Sequence, residues 1–260
     1  MSRFEDLKRL NSLLLEEMPQ YKSQAESFSE SEDDQWLLFR SLVNVRSPRP
    51  ISTDFLALQD TFLQREIAAK GITDWKDLCP REPGIYLWQG DITTLAADAI
   101  VNAANSGMTG CYCPCHGCID NAIHTFAGVQ LRNVCAEIME HQGYPEPTGQ
   151  AKITPAFNLP SRYVIHTVGP VVNGTLTDDH RVFLADCYRS CLKLADTNDL
   201  ESIAFCCIST GEFHFPNEDA AKIALHEVRE YRNGGGRCNV IFNVFSDKDL
   251  EIYNKLFSIQ

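Results

Sequence analysis

The chain has 260 residues, of which 44% are hydrophobic and 22% are charged, and its formal net charge is −12. This composition is that of a globular protein, and the acidic charge argues against nucleic-acid binding, because a basic surface is needed to replace the counterions on phosphates. No apolar run of about 18 residues is present, so we expect no membrane-spanning helix.

The eleven cysteines are the most unusual feature of the composition. Their number is odd, and the first residues lack the uninterrupted apolar core and the small-residue cleavage site of a signal peptide. We therefore expect a cytoplasmic protein in which the cysteines are metal ligands and buried thiols rather than a disulfide framework.

Residues 1–80 are predicted to form a helical subdomain. Apolar residues recur at helical spacing over 4–18, 33–45 and 52–71. In the third segment, Ser52 or Thr53 can cap the first turn. Because no cluster of reactive side chains appears here, we expect this subdomain to pack on the rest of the chain and to add no catalytic group.

Residues 81–260 alternate between short β-rich runs and helices. The predicted strands are 84–90, 98–104, 162–169, 202–209 and 238–246, and the predicted helices are 119–141, 180–197 and 217–231. This alternation predicts an α/β fold in which helices cover both faces of a mixed, mostly parallel sheet. Such sheets bind ligands at the carboxyl ends of their strands.

The loop from Cys111 to Cys118 contains four cysteines and one histidine within eight positions. These are more soft ligands than the four that a tetrahedral zinc ion uses. A closed structural site usually draws on two separated pairs of ligands, whereas this cluster is dense and lies in a domain with an ample core. The pattern therefore favours a catalytic zinc with three protein ligands and an open position, although spacing alone does not choose the three.

Other polar residues follow the predicted strands or begin a helix. Asp91 and Asn105 come directly after two strands, and Ser209 to Phe213 follow a third, where small residues let backbone N–H groups approach a phosphate. Asp120 begins the helix after the cysteine loop. It can simply complement the helix dipole, but its position two residues after Cys118, a candidate metal ligand, favours a role in the site.

The ordered motifs resemble the macrodomain family, which binds ADP-ribose. They are GDIT at 90–93, DAIVNAAN at 98–105, IDNAIH at 119–124 and ISTG at 208–211. In place of the glycine-rich loop of the family, the chain has GCYCPCHGC over 110–118, which resembles the zinc-dependent macrodomains. The resemblance implies a three-layer α/β/α macrodomain over 81–260, with a zinc-binding loop at 110–120.

The resemblance also implies an activity, the hydrolysis of the bond that joins ADP-ribose to a protein side chain. One catalytic Zn²⁺ would be held by Cys111, His116 and Cys118, with Cys113 and Cys115 as spare thiols. Asp120 and Asn105 would complete the catalytic site. The implied ADP-ribose ligands are Asp91 and Ile92 at the adenine, Ser209, Thr210, Gly211, Glu212 and Phe213 at the diphosphate, Asn105 at the distal ribose and Phe245 beside the adenine.

The implied partners are ADP-ribose and an ADP-ribosylated protein, with neither nucleic acid nor membrane. In the subfamily, the domain accompanies a sirtuin-type ADP-ribosyltransferase and a lipoyl carrier protein, which suggests a carboxylate-linked substrate on such a carrier. Two alternatives stay open at this point. One is a reader module that binds ADP-ribose without cleaving it, and the other is an O-acetyl-ADP-ribose deacetylase.

Overall fold

The computed structural model describes residues 2–258. The helices are α1 (Arg3–Glu17), α2 (Lys22–Ala25), α3 (Glu32–Val45), α4 (Thr53–Lys70), α5 (Ile119–Ala127), α6 (Val129–Gln142), α7 (Asp178–Thr197), α8 (Asn217–Asn233) and α9 (Asp247–Ser258). The strands are β1 (Thr73–Asp74), β2 (Pro80–Glu82), β3 (Ile85–Gln89), β4 (Leu95–Ala96), β5 (Ala99–Ala104), β6 (Ala151–Pro155), β7 (Tyr163–Val168), β8 (Ser202–Phe205) and β9 (Asn239–Val244). Among the described residues, no helix is long and apolar enough to cross a membrane.

Three of the four N-terminal helices begin at serine caps. The hydroxyls of Ser2, Ser31 and Ser52 each accept a hydrogen bond from a backbone N–H in the first turn of α1, α3 and α4. Helix α1 packs on α3 and α4, both of which contact α5. Apolar side chains of these helices belong to the same continuous core as those of the sheet. The division of the chain at residue 80 stays a prediction.

The main sheet has the strand order β2-β3-β9-β8-β5-β7-β6. The five inner strands are parallel, and the edge strands β2 and β6 run antiparallel to their neighbours. A separate parallel pair joins β1 to β4. Helices α5 and α6 pack on one side of the sheet, and α7, α8 and α9 form the layer on the other. The predicted three-layer α/β/α arrangement with a mixed, mostly parallel sheet and N-terminal helices is confirmed.

The helix predicted over 119–141 is broken in two, which the apolar periodicity did not indicate. Gly128 ends α5 with a φ of 94° and begins α6. A Cβ at this position would come within 2.6 Å of the side chains of Gln59 and Gln130. Glycine is therefore favoured by the backbone conformation, and a Cβ would also displace the ends of these two side chains, of which Gln59 comes from α4.

Candidate active site

A cleft of about 680 Å³ opens at the carboxyl ends of the five parallel strands. Each of these strands is followed by residues that line it, namely Gly90 after β3, Asn105 after β5, Gly169 after β7, Cys206 after β8 and Phe245 after β9. This is the edge of the sheet at which open α/β folds bind ligands, and the volume suits a ligand of nucleotide size.

One end of the cleft is formed by Asp91 and Ile92. Oδ1 of Asp91 accepts hydrogen bonds from the backbone N–H and the hydroxyl of Thr93, at 3.0 and 2.6 Å, and Oδ2 accepts one of 2.8 Å from Nζ of Lys70. Burial raises the pKa of Asp91, but the bonds from Lys70 and Thr93 outweigh it, so the pKa lies below its ordinary value. Phe245, 79% exposed, stands at the rim.

The loop from Ser209 to Phe213 lines the middle of the cleft. Among the described residues, no hydrogen bond is made by the backbone N–H groups of Gly211, Glu212 and Phe213. Ser209 adopts a φ of 65°, and its buried Oγ has no protein partner in the described structure. Successive free N–H groups and an unpartnered hydroxyl form a concave surface that suits phosphate oxygens.

Asp120 lies on the first turn of α5 and is 5% exposed. Nδ2 of Asn102 donates a 2.8 Å hydrogen bond to its Oδ1, and Nδ2 of Asn105 donates a 3.3 Å hydrogen bond to its Oδ2. Burial raises the pKa of Asp120 to about 6, although the two asparagine amides oppose this rise. A carboxylate with a raised pKa at the wall of a cleft is suited to accept a proton.

Two histidines lie around this pair, one beside Asp120 and one beside Asn102. His124, one turn later on α5, places Nε2 3.5 Å from Oδ1 of Asp120, and neither of its ring nitrogens has a hydrogen-bond partner in the described part of the chain. The second N–H of the Asn102 amide donates to Nδ1 of His166 at 3.1 Å. Burial lowers the pKa of His166 to about 3, so this ring is neutral and accepts at Nδ1.

The metal loop, defined as residues 110–118, follows β5. Donor atoms of Cys111, His116 and Cys118 all lie within 4.8 Å of one another, and Sγ of Cys111 is 3.6 Å from Nδ1 of His116. In a tetrahedral site with metal–sulfur and metal–nitrogen bonds of about 2.3 and 2.0 Å, the sulfur–nitrogen separation is about 3.5 Å. The three side chains therefore fit a zinc ion.

The other two cysteines of the metal loop lie outside this group of donors. Cys113 is exposed. Sγ of Cys115 turns toward α3, where it is 3.4 Å from the carbonyl oxygen of Leu37 and 3.4 Å from Oγ of Ser41. Gly110 begins the loop with a φ of 84°, and a Cβ there would meet the ring of His124 at 2.8 Å.

Glu212, on the loop 209–213, approaches the metal loop across the cleft. Its Oε1 is 3.5 Å from Nε2 of His116, so the carboxylate faces a metal-loop histidine rather than the free N–H groups of its own loop. A carboxylate on the far nitrogen of a ligating histidine fixes the ring and raises its basicity. The side chain of Glu212 is thus placed to support the His116 ring.

The structure brings every predicted site residue to this cleft. The residues concerned are Asp91, Ile92, Asn105, Cys111, His116, Cys118, Asp120, Ser209, Thr210, Gly211, Glu212, Phe213 and Phe245. The sequence reasoning missed Asn102, although it belongs to the same motif as Asn105, and it missed Lys70, for which no local signal exists.

Comparisons with known proteins agree with this geometry. The family described as Macro domain matches residues 101–224. A protein-ADP-ribose hydrolase from Treponema medium is 57% identical over 250 residues, which are 94% of this chain and 95% of that protein. One from Staphylococcus aureus (strain MSSA476) is 51% identical over 229 residues, 87% of this chain and 86% of that protein. The Trypanosoma brucei macrodomain in complex with ADP-ribose is 32% identical, with a TM-score of 0.64, over 84% of this chain and 94% of that one.

Proposed function

The chain belongs to the macrodomain family, and from this premise we propose that it hydrolyses the bond between ADP-ribose and a protein side chain, using one Zn²⁺ held by Cys111, His116 and Cys118. Similarity to protein-ADP-ribose hydrolases over nearly the whole chain supports the reaction. The convergence of three soft donor atoms within 4.8 Å beside Asp120 supports the metal.

ADP-ribose would lie along the cleft from Asp91 to the metal loop. The carboxylate of Asp91, kept ionised by Lys70, would accept a hydrogen bond from the adenine amino group, with Ile92 beside it and the exposed ring of Phe245 flanking the base. The free N–H groups of Gly211, Glu212 and Phe213 would bind the diphosphate. The distal ribose would then reach Asn105 and Asp120.

At the distal ribose, water adds to the anomeric carbon while the side-chain oxygen leaves, which yields free ADP-ribose. Asp120 would accept the proton of this water, and its charge would stabilise the positive character that develops on the sugar. Asn105 would hold a ribose hydroxyl and orient Oδ2 of Asp120. A bound zinc ion supplies a Lewis acid that polarises an oxygen ligand and lowers the pKa of bound water.

The finer assignments are also proposals. The substrate linkage is taken to be a carboxylate ester, the substrate protein a lipoyl carrier, and the transferase that adds the group a sirtuin-type enzyme in the same cytoplasm. Release of acetate from O-acetyl-ADP-ribose is expected as a side activity of the same cleft. The buried carboxylate of Asp120, which lines the cleft and is held by Asn102 and Asn105, supports a hydrolase over a reader module.

The test is release of ADP-ribose from proteins that are mono-ADP-ribosylated on carboxylates, on serine or on arginine, by the native chain and by Asp120→Asn. We expect release from the carboxylate-linked protein by the native chain alone, with equal ADP-ribose affinity in both. Release from another linkage only would contradict the carboxylate assignment. Binding without release from any of the three would indicate a reader module.

A further inference from the structure

We propose that helix α3, in the N-terminal segment, positions the metal loop, with Asn44 and Arg40 as positioning residues for its ligands. This inference rests on the proposed function, because it presumes that the metal loop holds zinc. Residues 110–118 form neither helix nor strand. In the described structure, one backbone hydrogen bond lies within the loop, from the N–H of His116 to the carbonyl oxygen of Cys113 at 3.3 Å, so contacts from outside the loop contribute much of what holds it in place.

Asn44 ties the middle of the metal loop to α5. It is 1% exposed, its Oδ1 accepts a 2.9 Å hydrogen bond from the backbone N–H of Cys115, and its Nδ2 donates a 3.0 Å hydrogen bond to Oγ1 of Thr125. Cys115 has a φ of 54°, a conformation that is uncommon for a non-glycine residue and that contacts such as this one stabilise. Asn44 therefore fixes the backbone directly before the ligand His116.

Arg40 acts on the same loop one turn earlier along α3. Its Nη2 donates to Oδ1 of Asn121 at 3.1 Å and to the carbonyl oxygen of His116 at 3.5 Å. Asn121, oriented in this way, donates from its side chain to the carbonyl oxygen of Cys113 at 3.0 Å and from its backbone to Sγ of Cys118 at 3.4 Å. The guanidinium of Arg40 thus holds the ligand His116 directly and Cys113 through the side chain of Asn121.

Arg132 links the carboxyl end of α3 to the first ligand. Its Nη1 donates to the carbonyl oxygens of Val43, Asn44 and Arg46, at 3.0, 2.6 and 2.8 Å, and its Nη2 donates to that of Cys111 at 3.3 Å. The backbone of the metal loop is therefore held at Cys111, Cys113, Cys115 and His116 by side chains that either lie on α3 or are anchored to it, and Asn105 separately holds the carbonyl oxygen of Gly110.

If α3 preorganises the metal loop, the chain should bind zinc more tightly than it would with a mobile loop. Bringing two thiolates and an imidazole together costs conformational entropy and electrostatic repulsion, and a loop already held in place avoids part of that cost on binding. Supporting contacts of this kind change metal affinity by about 10- to 100-fold. If α3 only stabilised the fold, its contacts would change the melting temperature and leave the affinity for zinc unchanged.

The experiment measures zinc affinity of the full chain by competition with a chromophoric chelator, together with the melting temperature of the metal-free protein and ADP-ribose affinity by calorimetry. The variants are Asn44→Ala and Arg40→Met. The controls lie on α1, which packs on α3, and in the described structure they make no hydrogen bond to the metal loop. Asn11→Ala removes the buried amide that bonds Gln35, and Arg9→Met removes an exposed arginine.

We expect Asn44→Ala and Arg40→Met each to weaken zinc affinity by about tenfold or more, with ADP-ribose affinity retained. Asn11→Ala should lower the melting temperature without changing zinc affinity, and Arg9→Met should change neither. If both α3 variants bind zinc as tightly as the native chain, the positioning role of α3 is wrong, while the metal proposal stands. A native chain that binds no zinc would overturn the metal proposal and this inference together. If Asn44→Ala fails to fold, Arg40→Met still tests the inference.

Discussion

The side-chain amide of Asn102 donates a 2.8 Å hydrogen bond to Oδ1 of Asp120, and both residues are buried. Asn102 lies inside the sheet on β5, and Asp120 lies on α5, so this bond fixes the carboxylate against the most rigid part of the fold. The other oxygen of Asp120 faces the cleft beside Asn105. Oδ1 of Asp120 is thus held by the sheet, and Oδ2 faces the cleft, where it can accept a proton.

Asn102→Ala should lower the rate of ADP-ribose release by roughly 10- to 100-fold, because a hydrogen bond to a charged group contributes about 1.5–3 kcal/mol. ADP-ribose affinity should change little, since Asn102 does not line the cleft. Thr154→Val is the control, because it removes a buried hydroxyl next to Nε2 of His166, the ring nitrogen that does not face Asn102, and leaves the Asn102–Asp120 bond in place. An equal loss of rate in both variants would contradict a specific role for the Asn102–Asp120 bond.

Cys118→Ser should abolish stoichiometric zinc binding without unfolding α5. Serine is a preferred helix N-cap, so the cap that Sγ now provides to the N–H of Asn121 would be retained while the thiolate is lost. Elemental analysis after dialysis measures the metal content. Cys113→Ser, which alters the exposed thiol of the same loop, should keep its zinc. Loss of zinc from the Cys113 variant instead would show that the ligand set is wrong.

Glu212→Gln should change the affinities for zinc and for ADP-ribose in opposite directions. The amide oxygen still faces Nε2 of His116 but carries no charge, so zinc affinity should fall by up to about tenfold. ADP-ribose affinity should rise, because a negative charge is removed from the loop 209–213, which we propose binds the diphosphate. Chelator competition measures the zinc affinity and calorimetry the ADP-ribose affinity. Glu218→Gln on α8 is the control. A fall in both affinities would contradict this assignment.

Lys70→Met should raise the pKa of Asp91, because the charge that opposes its burial is removed. The native pKa lies below the ordinary value of about 3.9, so the stability that the pair contributes is present above that pH and is lost as the pH falls through the folded pKa. Both side chains are about one-third exposed, so this contribution should stay within about 1 kcal/mol.

The Lys70 prediction is checked by NMR titration of the Asp91 carboxyl carbon and by urea unfolding at two pH values. The stability difference between the native chain and Lys70→Met should be larger at pH 7 than at about pH 3. Lys70→Arg keeps the charge and should keep the low pKa. An unchanged pKa in Lys70→Met would show that the ion pair does not control this carboxylate.

Local sequence was sufficient to predict the parts of the site that come from one loop or one strand end. Cys111, His116 and Cys118 are close in the chain, and Asp91, Asn105 and Ser209 follow strands that end at the same edge of the sheet, so their convergence could be expected. Each of these positions carries a recognisable pattern in the chain itself.

The supporting residues could not be predicted in this way. Asn44 reaches Cys115 across 71 positions, and Arg132 reaches Cys111 across 21, so these contacts exist only once α3, α5 and α6 have packed. The break at Gly128 was missed for a similar reason, because the residues that crowd it come partly from α4. Tertiary contacts of this kind leave no periodic signal in the sequence.

The central claim is that hydrolysis requires the metal held by Cys111, His116 and Cys118. The most direct measurement is the rate of ADP-ribose release from a carboxylate-linked substrate by native protein, by the same protein after removal of metal with a chelator, and after zinc is restored. We expect release to collapse in the metal-free protein and to recover with zinc, while folding and ADP-ribose affinity persist. An undiminished rate in protein verified to be free of metal would contradict the account.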